Sequence, residues 1–480
     1  MYADVSFPIS SFQVFSYKVP ENLATAASVG STVNAPLGKR MVSGIIVRCY
    51  SESKYTGKIK EITSIEQGKP ILDGQLWKLI TWLSSYYDTP IGLAAKAVLP
   101  SKLSTSYEPK KQNFARVLHS QNEKNIKGST QIKVFNFLKS QNLAVPFSAL
   151  KIFSPNPSSI CNSLEKKGLI EIIQKPVIPN IYETSLESEP KEINLTSDQQ
   201  NAISAICNSL DQNIFDPFLL HGVTGSGKTE VFIEAAKHAM NQNKSVVVLL
   251  PEISTTPQIA GRFKSVFGDS VAVWHSKLSK SSRAWIWKKI CNGDFKIIVG
   301  ARSAIFTPLK NLGLIIVDEE QENAYKQTSS SPKYHAKEVA LMRGKISKAT
   351  VILSSATPSI ETYFNYKSDK FKYLELPKRF GNAKLPEVHL VNMIDENKAA
   401  ENYDAIFSQL LLDKIEDRIK KNEQVILLHN RRGFAPILRC DDCGEISKCP
   451  HCQLSLTFHK TDNVLKCHFC NFTKPPAGKC

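Results

Sequence analysis

The segment GVTGSGKT, Gly222 to Thr229, constrains this chain more than any other stretch. It has the spacing G-x-x-x-x-G-K-[ST], follows the apolar run FLLHG (218–222) and leads into the helical pattern EVFIEAAKHAM. An apolar strand, a glycine-rich turn and a helix start, in that order, form a cradle for phosphates. Gly225 and Gly227 permit backbone conformations that turn N–H groups into one concavity, and the helix N-terminus adds partial positive charge. Gly222, Thr224 and Ser226 belong to the same loop. Lys228 is placed for the β- and γ-phosphates, the Thr229 hydroxyl for magnesium, and Glu230 opens the helix.

Such a loop needs a sheet behind it. From about Leu195 the chain alternates helical patterns with apolar runs: FLLHG, SVVVLLP (245–251), KIIVG (296–300), LGLIIVDEE (312–320), TVILSSATP (350–358) and QVILLHN (424–430). Near-continuous apolar strands between helices predict an α/β fold, a parallel sheet covered on both faces. The run LIIVDEE then delivers Asp318 and Glu319 to the C-terminal end of a strand, where open α/β sheets bind ligands. Asp318 is the expected magnesium ligand and Glu319 the expected base for the attacking water. SSATPS (354–359) ends a further strand with small hydroxyl residues suited to sensing a γ-phosphate. Gln199, ahead of the loop, is read either as a contact to the adenine edge or as an exposed residue at a helix start.

The flanks differ in texture. Residues 1–104 hold short β-type runs broken by Gly, Pro and Ser, then a helix around Leu76–Tyr87, and predict a small mostly-β domain. Residues 105–182 open on a polar basic stretch and pass into short helices ending in a strand, as in a winged helix, whose partner is DNA or protein. Residues 183–192 read as a linker. Seven of the eleven cysteines lie after Arg439, as Cys440-x2-Cys443-x5-Cys449-x2-Cys452-x14-Cys467-x2-Cys470-x9-Cys480. Repeated C-x2-C pairs present thiolates in twos to tetrahedral zinc. His451, His459 and His468 are read as bystanders. The excess of 61 basic over 44 acidic residues, a formal charge of +17, favours a polyanionic partner. No apolar run reaches the about 18–20 residues of a membrane span, and the chain is expected in the cytoplasm.

The phosphate loop, the D-E pair, the S-A-T segment and a following α/β region resemble superfamily 2 helicases. GVTGSGKTEVF, LLPEIS, HSKLS (275–279), VGARSAIFTP (299–308), DEEQENAYKQ (318–327), PKYHAKEVA (332–340), LSSATPSIET (353–362) and HNRRGFAP (429–436) narrow the resemblance to the PriA family of replication-restart helicases. The resemblance implies a 3′-end DNA-binding domain over 1–104 and a winged helix over 105–182. It implies a RecA-like ATP-binding lobe over 193–380, the start of a second lobe over 381–437 and a cysteine-rich zinc region over 438–480.

The resemblance also implies an ATP-dependent, 3′-to-5′ DNA helicase, acting as a monomer at abandoned forks in the bacterial nucleoid. Its partners would be forked and single-stranded DNA, primosome and helicase-loading proteins and single-stranded DNA-binding protein, with no membrane. A catalytically idle DNA-binding scaffold and a duplex translocase are the alternatives. The cofactors are ATP, Mg2+ and two Zn2+ in nested sites, the inner one Cys449, Cys452, Cys467 and Cys470, the outer one including Cys440, Cys443 and Cys480. The family places a further cysteine and the rest of lobe two beyond Cys480, so weak nucleotide binding and little hydrolysis are expected of this polypeptide. Gln321 stands where the family more often has His. Tyr325 is assigned to base stacking or to packing, and Lys326 to a phosphate or to solvent. Arg302 is assigned to DNA, the phosphate site or a surface ion pair, and Arg431 and Arg432 to DNA or the surface. In the N-terminal domain, VFSYKVP (14–20) has Ser16 where the family often has Asp, and Lys39 and Arg40 are placed for phosphate contacts.

Overall fold

A computed structural model describes residues 1–52, 57, 59–65, 72–100, 111–118, 126, 128–141, 144–176, 194–251, 256–380, 386–399, 406–428, 437–440, 443–476 and 478. The chain divides into two compact units, Met1–Lys384 and Leu385–Cys480.

The first unit begins with β1 (Tyr2–Ser6), β2 (Phe15–Lys18), β3 (Thr32–Leu37), β4 (Arg40–Tyr50) and β5 (Ser64–Ile65), a five-stranded sheet in the order β2-β1-β4-β3-β5. Its members alternate: Val33 and Ala35 point into the core while Thr32 and Asn34 are half-exposed, the period of a strand with one buried face. Helices α1 (Gly74–Tyr86) and α2 (Ile91–Val98) follow. Asp73 caps α1 by accepting from the Leu76 N–H at 2.7 Å.

Next come β6 (Lys111–Val117), α3 (Ser129–Ser140), β7 (Val145–Pro146), α4 (Pro157–Lys166) and β8 (Ile170–Pro176). The three strands form an antiparallel sheet, β7-β6-β8, under the two helices. The polar, basic stretch of the sequence is partly a strand here, because β6 is held by β8 along its whole length.

The largest body holds α5 (Ser197–Gln212), β9 (Asp216–Gly222), α6 (Lys228–Asn241), β10 (Ser245–Leu249), α7 (Thr256–Phe267), β11 (Val271–Trp274), α8 (Lys280–Asn292), β12 (Ile297–Gly300), β13 (Leu312–Val317), α9 (Ala336–Ser347), β14 (Thr350–Ser355), α10 (Ile360–Lys367) and β15 (Lys372–Leu376). Its seven strands are all parallel, in the order β11-β12-β10-β13-β14-β9-β15. β10, β13 and β14 are buried along their entire length, as a sheet covered on both faces requires. Phe232 of α6 and Phe263 of α7 pack on one face, and Trp287 of α8 and Val339 of α9 on the other. Each such side chain contributes on the order of 1.5–3 kcal/mol by leaving water.

The second face is shared. Leu76, Leu79, Ile80 and Leu83 of α1 and Ala94 of α2 belong to the same hydrophobic cluster as Trp287, Val339 and Val351. Polar contacts tie the seam: the His335 N–H donates to the Tyr87 hydroxyl at 3.0 Å, Ser347 to Gln75 at 2.9 Å, and the Thr89 and Ser331 hydroxyls meet at 3.2 Å. The helices that close the N-terminal domain are therefore part of the lobe's outer layer.

The second unit contains α11 (Met393–Ala399), α12 (Gln409–Lys420) and a small antiparallel sheet of β16 (Thr457–His459), β17 (Val464–Lys466) and β18 (Thr473–Lys474). The run expected as a strand at 424–430 is not one over its described part: residues 424–428 have no regular structure and Ile426 is 95% exposed. A parallel strand exists through its neighbours, and none pairs with this run among the described residues.

Candidate nucleotide site and metal centre

β9 ends at Gly222 and α6 begins at Lys228, so the loop between them sits at the C-terminal edge of the sheet. Gly225 and Gly227 have φ of +81° and +80°, the left-handed region that glycine enters without strain. Lys228 folds back over this loop, its Nζ donating to the Gly222 carbonyl at 3.0 Å and lying 3.7 Å from Glu319 Oε1. Glu319 and Asp318 follow β13, two strands away from β9 in the sheet order. Glu319 itself has φ +47°. The structure thus brings Lys228, Asp318 and Glu319 together, although ninety residues separate them in the chain.

Three side-chain oxygens at this end of the sheet, Ser226 Oγ, Asp318 Oδ1 and Ser354 Oγ, are buried with no hydrogen-bond partner among the described residues. Burial, with the Glu319 charge beside it, pushes the Asp318 carboxyl up to about 6. Orphaned oxygens next to an ammonium and glycine-freed N–H groups fit a metal-bound polyphosphate. Thr229 stands half-buried in the first turn of α6, and Thr224 and Gly225 are exposed at the loop tip. Glu230 is engaged elsewhere, in a two-pronged contact with Arg262 at 3.2 Å for each pair of atoms.

Gln199 is buried, not exposed at a helix start. It completes a capping box with Thr196 at the start of α5 and donates from Nε2 to the Ser226 carbonyl at 2.8 Å. A Cβ at Gly227 would collide with that same nitrogen. Its amide therefore braces the phosphate loop through one N–H of Nε2.

The acidic segment is wired onward. Gln321 Nε2 donates to Glu319 at 2.9 Å, the Ser355 hydroxyl donates to Gln321 at 2.6 Å, and the Thr357 N–H donates to Ser355 at 2.8 Å. Glu320, fully buried, accepts from Lys337 (2.8 Å), Thr362 (2.9 Å) and the Ser359 N–H (2.7 Å). Its role was not legible in sequence, because D-E-E-Q does not say which acid turns inward. Lys337 leads to His335, whose Nδ1 accepts from the Lys337 N–H and whose pKa is pushed down to about 4 by burial.

Two of the residues left with alternative roles are tied to the acidic loop. Tyr325 is 0% exposed and donates its hydroxyl to the carbonyls of Leu249 (3.1 Å) and Asp318 (2.5 Å), so its ring packs beneath the acidic loop and offers no face to a base. Arg302, half-buried, donates to the carbonyls of Ala324 (3.2 Å) and Lys326 (2.9 Å), so its guanidinium is held by that loop and forms no ion pair among the described residues. Lys326 is exposed, with its ammonium 5.7 Å above the Tyr87 ring. Lys39 and Arg40 are exposed at the tip of the β3–β4 hairpin. Arg431 and Arg432 lie outside the described residues.

In the N-terminal sheet, a cavity of about 420 Å³ is lined by Gln13, Ser16, Tyr17, Pro36, Gly38 and Lys60. Ser16 pairs across the sheet with Asp4 and donates to its Oδ1 at 2.8 Å, and the Tyr50 hydroxyl donates to the same atom at 2.9 Å. A carboxylate missing from β2 is thus present on β1.

The cysteines form repeated turns. Gly444, Gln453 and Asn471, each next after a C-x2-C pair, have φ of +74°, +57° and +61° and donate back to the carbonyls of Cys440, Cys449 and Cys467 at 3.0, 2.9 and 2.9 Å. Sulfur atoms of Cys449, Cys452, Cys467 and Cys470 lie within 4.8 Å of one another. Tetrahedral zinc with Zn–S of about 2.3 Å separates sulfurs by about 3.8 Å, so the set fits zinc. Backbone N–H groups of Cys470 and Phe469 draw the Cys467 thiol down to about 7, toward the thiolate that binds metal. The histidines lie beside this set: His451 packs on Phe472, and His459 and His468 meet at 3.0 Å. Cys440 and Cys443 stand outside the four-sulfur cluster, and Cys480 is outside the described residues.

Comparison with known proteins matches three family models to the chain. They are the PriA 3′ DNA-binding domain over residues 4–100, the DEAD/DEAH box helicase over 196–365 and the PriA DNA helicase Cys-rich region over 449–475. Replication restart protein PriA of Chlamydia pneumoniae is 38% identical over 482 residues, covering 98% of this chain and 63% of that protein. The Bacillus subtilis (strain 168) protein of the same name is 32% identical over 551 residues, covering 100% of this chain and 68% of the relative. The chain thus spans somewhat under two thirds of the Chlamydia relative's length. Among solved structures, RecG bound to a three-way DNA junction is 22% identical with a TM-score of 0.34, over 44% of this chain and 27% of that one.

Proposed function

Because this chain belongs to the PriA family of replication restart proteins, we propose that it is the motor-bearing part of an ATP-dependent DNA helicase that restarts abandoned replication forks. The observation that carries the reading is the 3.7 Å approach of Lys228 to Glu319, beside an Asp318 carboxylate with one buried, unpartnered oxygen, at one end of a parallel sheet. The backbone of Gly225 to Thr229 holds the β- and γ-phosphates, and Lys228 exchanges the Gly222 carbonyl for a phosphate oxygen. Thr229 and Asp318 would hold magnesium, which would supply charge neutralisation. Glu319 orients and deprotonates the attacking water. Loss of the γ-phosphate is then felt at Glu319 and passes through Gln321 to Ser355 and the Thr357 backbone, a route of three hydrogen bonds.

The finer reading keeps the family's 3′-to-5′ polarity, its fork substrates and its helicase-loading and single-stranded DNA-binding partners. Lys39, Arg40 and Lys326 are exposed basic groups offered to DNA phosphates, and the cavity at Ser16 receives a nascent 3′ end. The cysteine turns hold zinc, the inner four-sulfur site first and an outer site through Cys440 and Cys443 second.

DNA-stimulated ATP hydrolysis and unwinding of forked duplexes test this. Lys228→Ala is expected to lower hydrolysis by at least about 100-fold, the scale of losing one preorganised cationic donor. Unchanged turnover in that variant, against a wild type whose hydrolysis is measurable, would refute the motor.

A further inference from the structure

A purine nucleotide needs a surface for its base as well as a cradle for its phosphates, and Gln199, whose amide is bonded to the Ser226 carbonyl, offers no stacking surface. The segment after β15 lies against the phosphate loop. Leu376 pairs with Gly222, the Val223 N–H donates to the Leu376 carbonyl at 3.2 Å, and the Phe380 N–H donates to the Gly225 carbonyl at 2.9 Å. The Arg379 side chain passes within 4.0 Å of the position a Gly225 Cβ would occupy. Its Nε is buried and has no hydrogen-bond partner among the described residues. The Phe380 ring is 53% exposed although its backbone is fixed to the loop. An exposed aromatic and a donor-orphaned arginine are thereby clamped to the rim of the phosphate cradle.

We propose that Arg379 and Phe380 form the nucleoside subsite of this ATP site, Phe380 stacking on the purine and Arg379 donating to the nucleoside. The proposal rests on the nucleotide reading of the Gly222–Thr229 loop. The planar guanidinium suits this place because it can donate and stack at once, which an ammonium cannot. The hydrogen bond from Phe380 to Gly225 also fixes the platform to the loop, so base and phosphates are registered to each other by the backbone.

The test is equilibrium binding of Mg·ATP and of magnesium tripolyphosphate, which lacks the nucleoside, to the full chain and to the Phe380→Ala, Phe380→Trp and Arg379→Lys variants. Base–aromatic stacking of the usual strength predicts ATP affinity about 5- to 100-fold weaker in Phe380→Ala. Tripolyphosphate affinity is expected to be unchanged in that variant, and Phe380→Trp to restore ATP binding. Arg379→Lys keeps the charge and is expected to weaken ATP but not tripolyphosphate. An unchanged ratio of ATP to tripolyphosphate affinity in both Phe380→Ala and Arg379→Lys, with wild-type binding intact, overturns the subsite and leaves the phosphate loop standing. A wild-type chain that binds neither ligand overturns the loop reading and the subsite together.

Discussion

At the residue scale, the centre of the account is a carboxylate that folding makes harder to ionise. Asp318 titrates near 6 because burial and Glu319 both disfavour its charge. The sign follows: its folded value lies above the unfolded value of about 3.9, so the folded state binds the proton more tightly. The cost of holding Asp318 ionised is fully present above pH 6 and is relieved as pH falls from 6 toward 4. Magnesium needs the ionised form, so Mg·ATP affinity is expected to fall as pH drops below about 6, and Asp318→Asn is expected to remove that part of the profile. Calorimetric binding across pH 5–8 checks this, and a flat wild-type profile would contradict it. Gly225, Gly227, Lys228, Asp318 and Glu319 were legible because phosphate chemistry dictates their types and spacing. Tyr325 and Arg302 were not. An aromatic or an arginine in a polar loop has the same letters whether it turns toward solvent or toward backbone carbonyls, and only the fold decides.

At the scale of elements, long buried strands announced themselves and edges did not. β10, β13 and β14 are unbroken apolar runs, whereas β11 and β15, the two outermost strands, were missed. β15 reads KYLEL, with polar residues at its exposed positions, and it matters because it delivers Arg379 and Phe380 to the loop. β6 was hidden in a basic stretch for the same reason, and the 424–428 run shows the converse, apolar residues without a partner strand. The three cysteine turns were legible from spacing alone, since each C-x2-C pair closes on a residue with positive φ. Their order should depend on metal: classical zinc modules unfold without it. Chelation, or Cys467→Ala, is expected to expose residues 438–474 to proteolysis while residues 194–376 stay protected. Survival of the cysteine segment after verified metal removal would show that β16–β18 hold it unaided.

For the first unit as a whole, the boundary drawn in sequence between an N-terminal domain and a motor lobe cuts through one hydrophobic cluster. Leu79 of α1 and Val339 of α9 share a core, and Tyr87, Thr89 and Gln75 bond to the lobe across the seam. The sequence hid this because α1 looks like an ordinary amphipathic helix, and nothing in its pattern says whose core it fills. Leu79→Ala, at a site with no exposure, is expected to cost about 2–5 kcal/mol. That loss should appear in the unfolding of the lobe as well as of the N-terminal sheet. Denaturant unfolding followed by proteolysis of each part measures it, and a lobe transition that does not move would mean that the two fold independently. The hydrogen bonds from Tyr87 through His335 and Lys337 to Glu320 join the N-terminal domain to the acidic segment after β13. All of this converges on one claim, that the glycine loop and the acidic pair hold a magnesium-bound triphosphate between them. Calorimetric titration of Mg·ATP into the full chain and into Lys228→Ala and Asp318→Asn tests it most directly. The account predicts saturable binding to the wild type, dependent on magnesium and weakened in both variants, whereas binding that survives either substitution unchanged would contradict it.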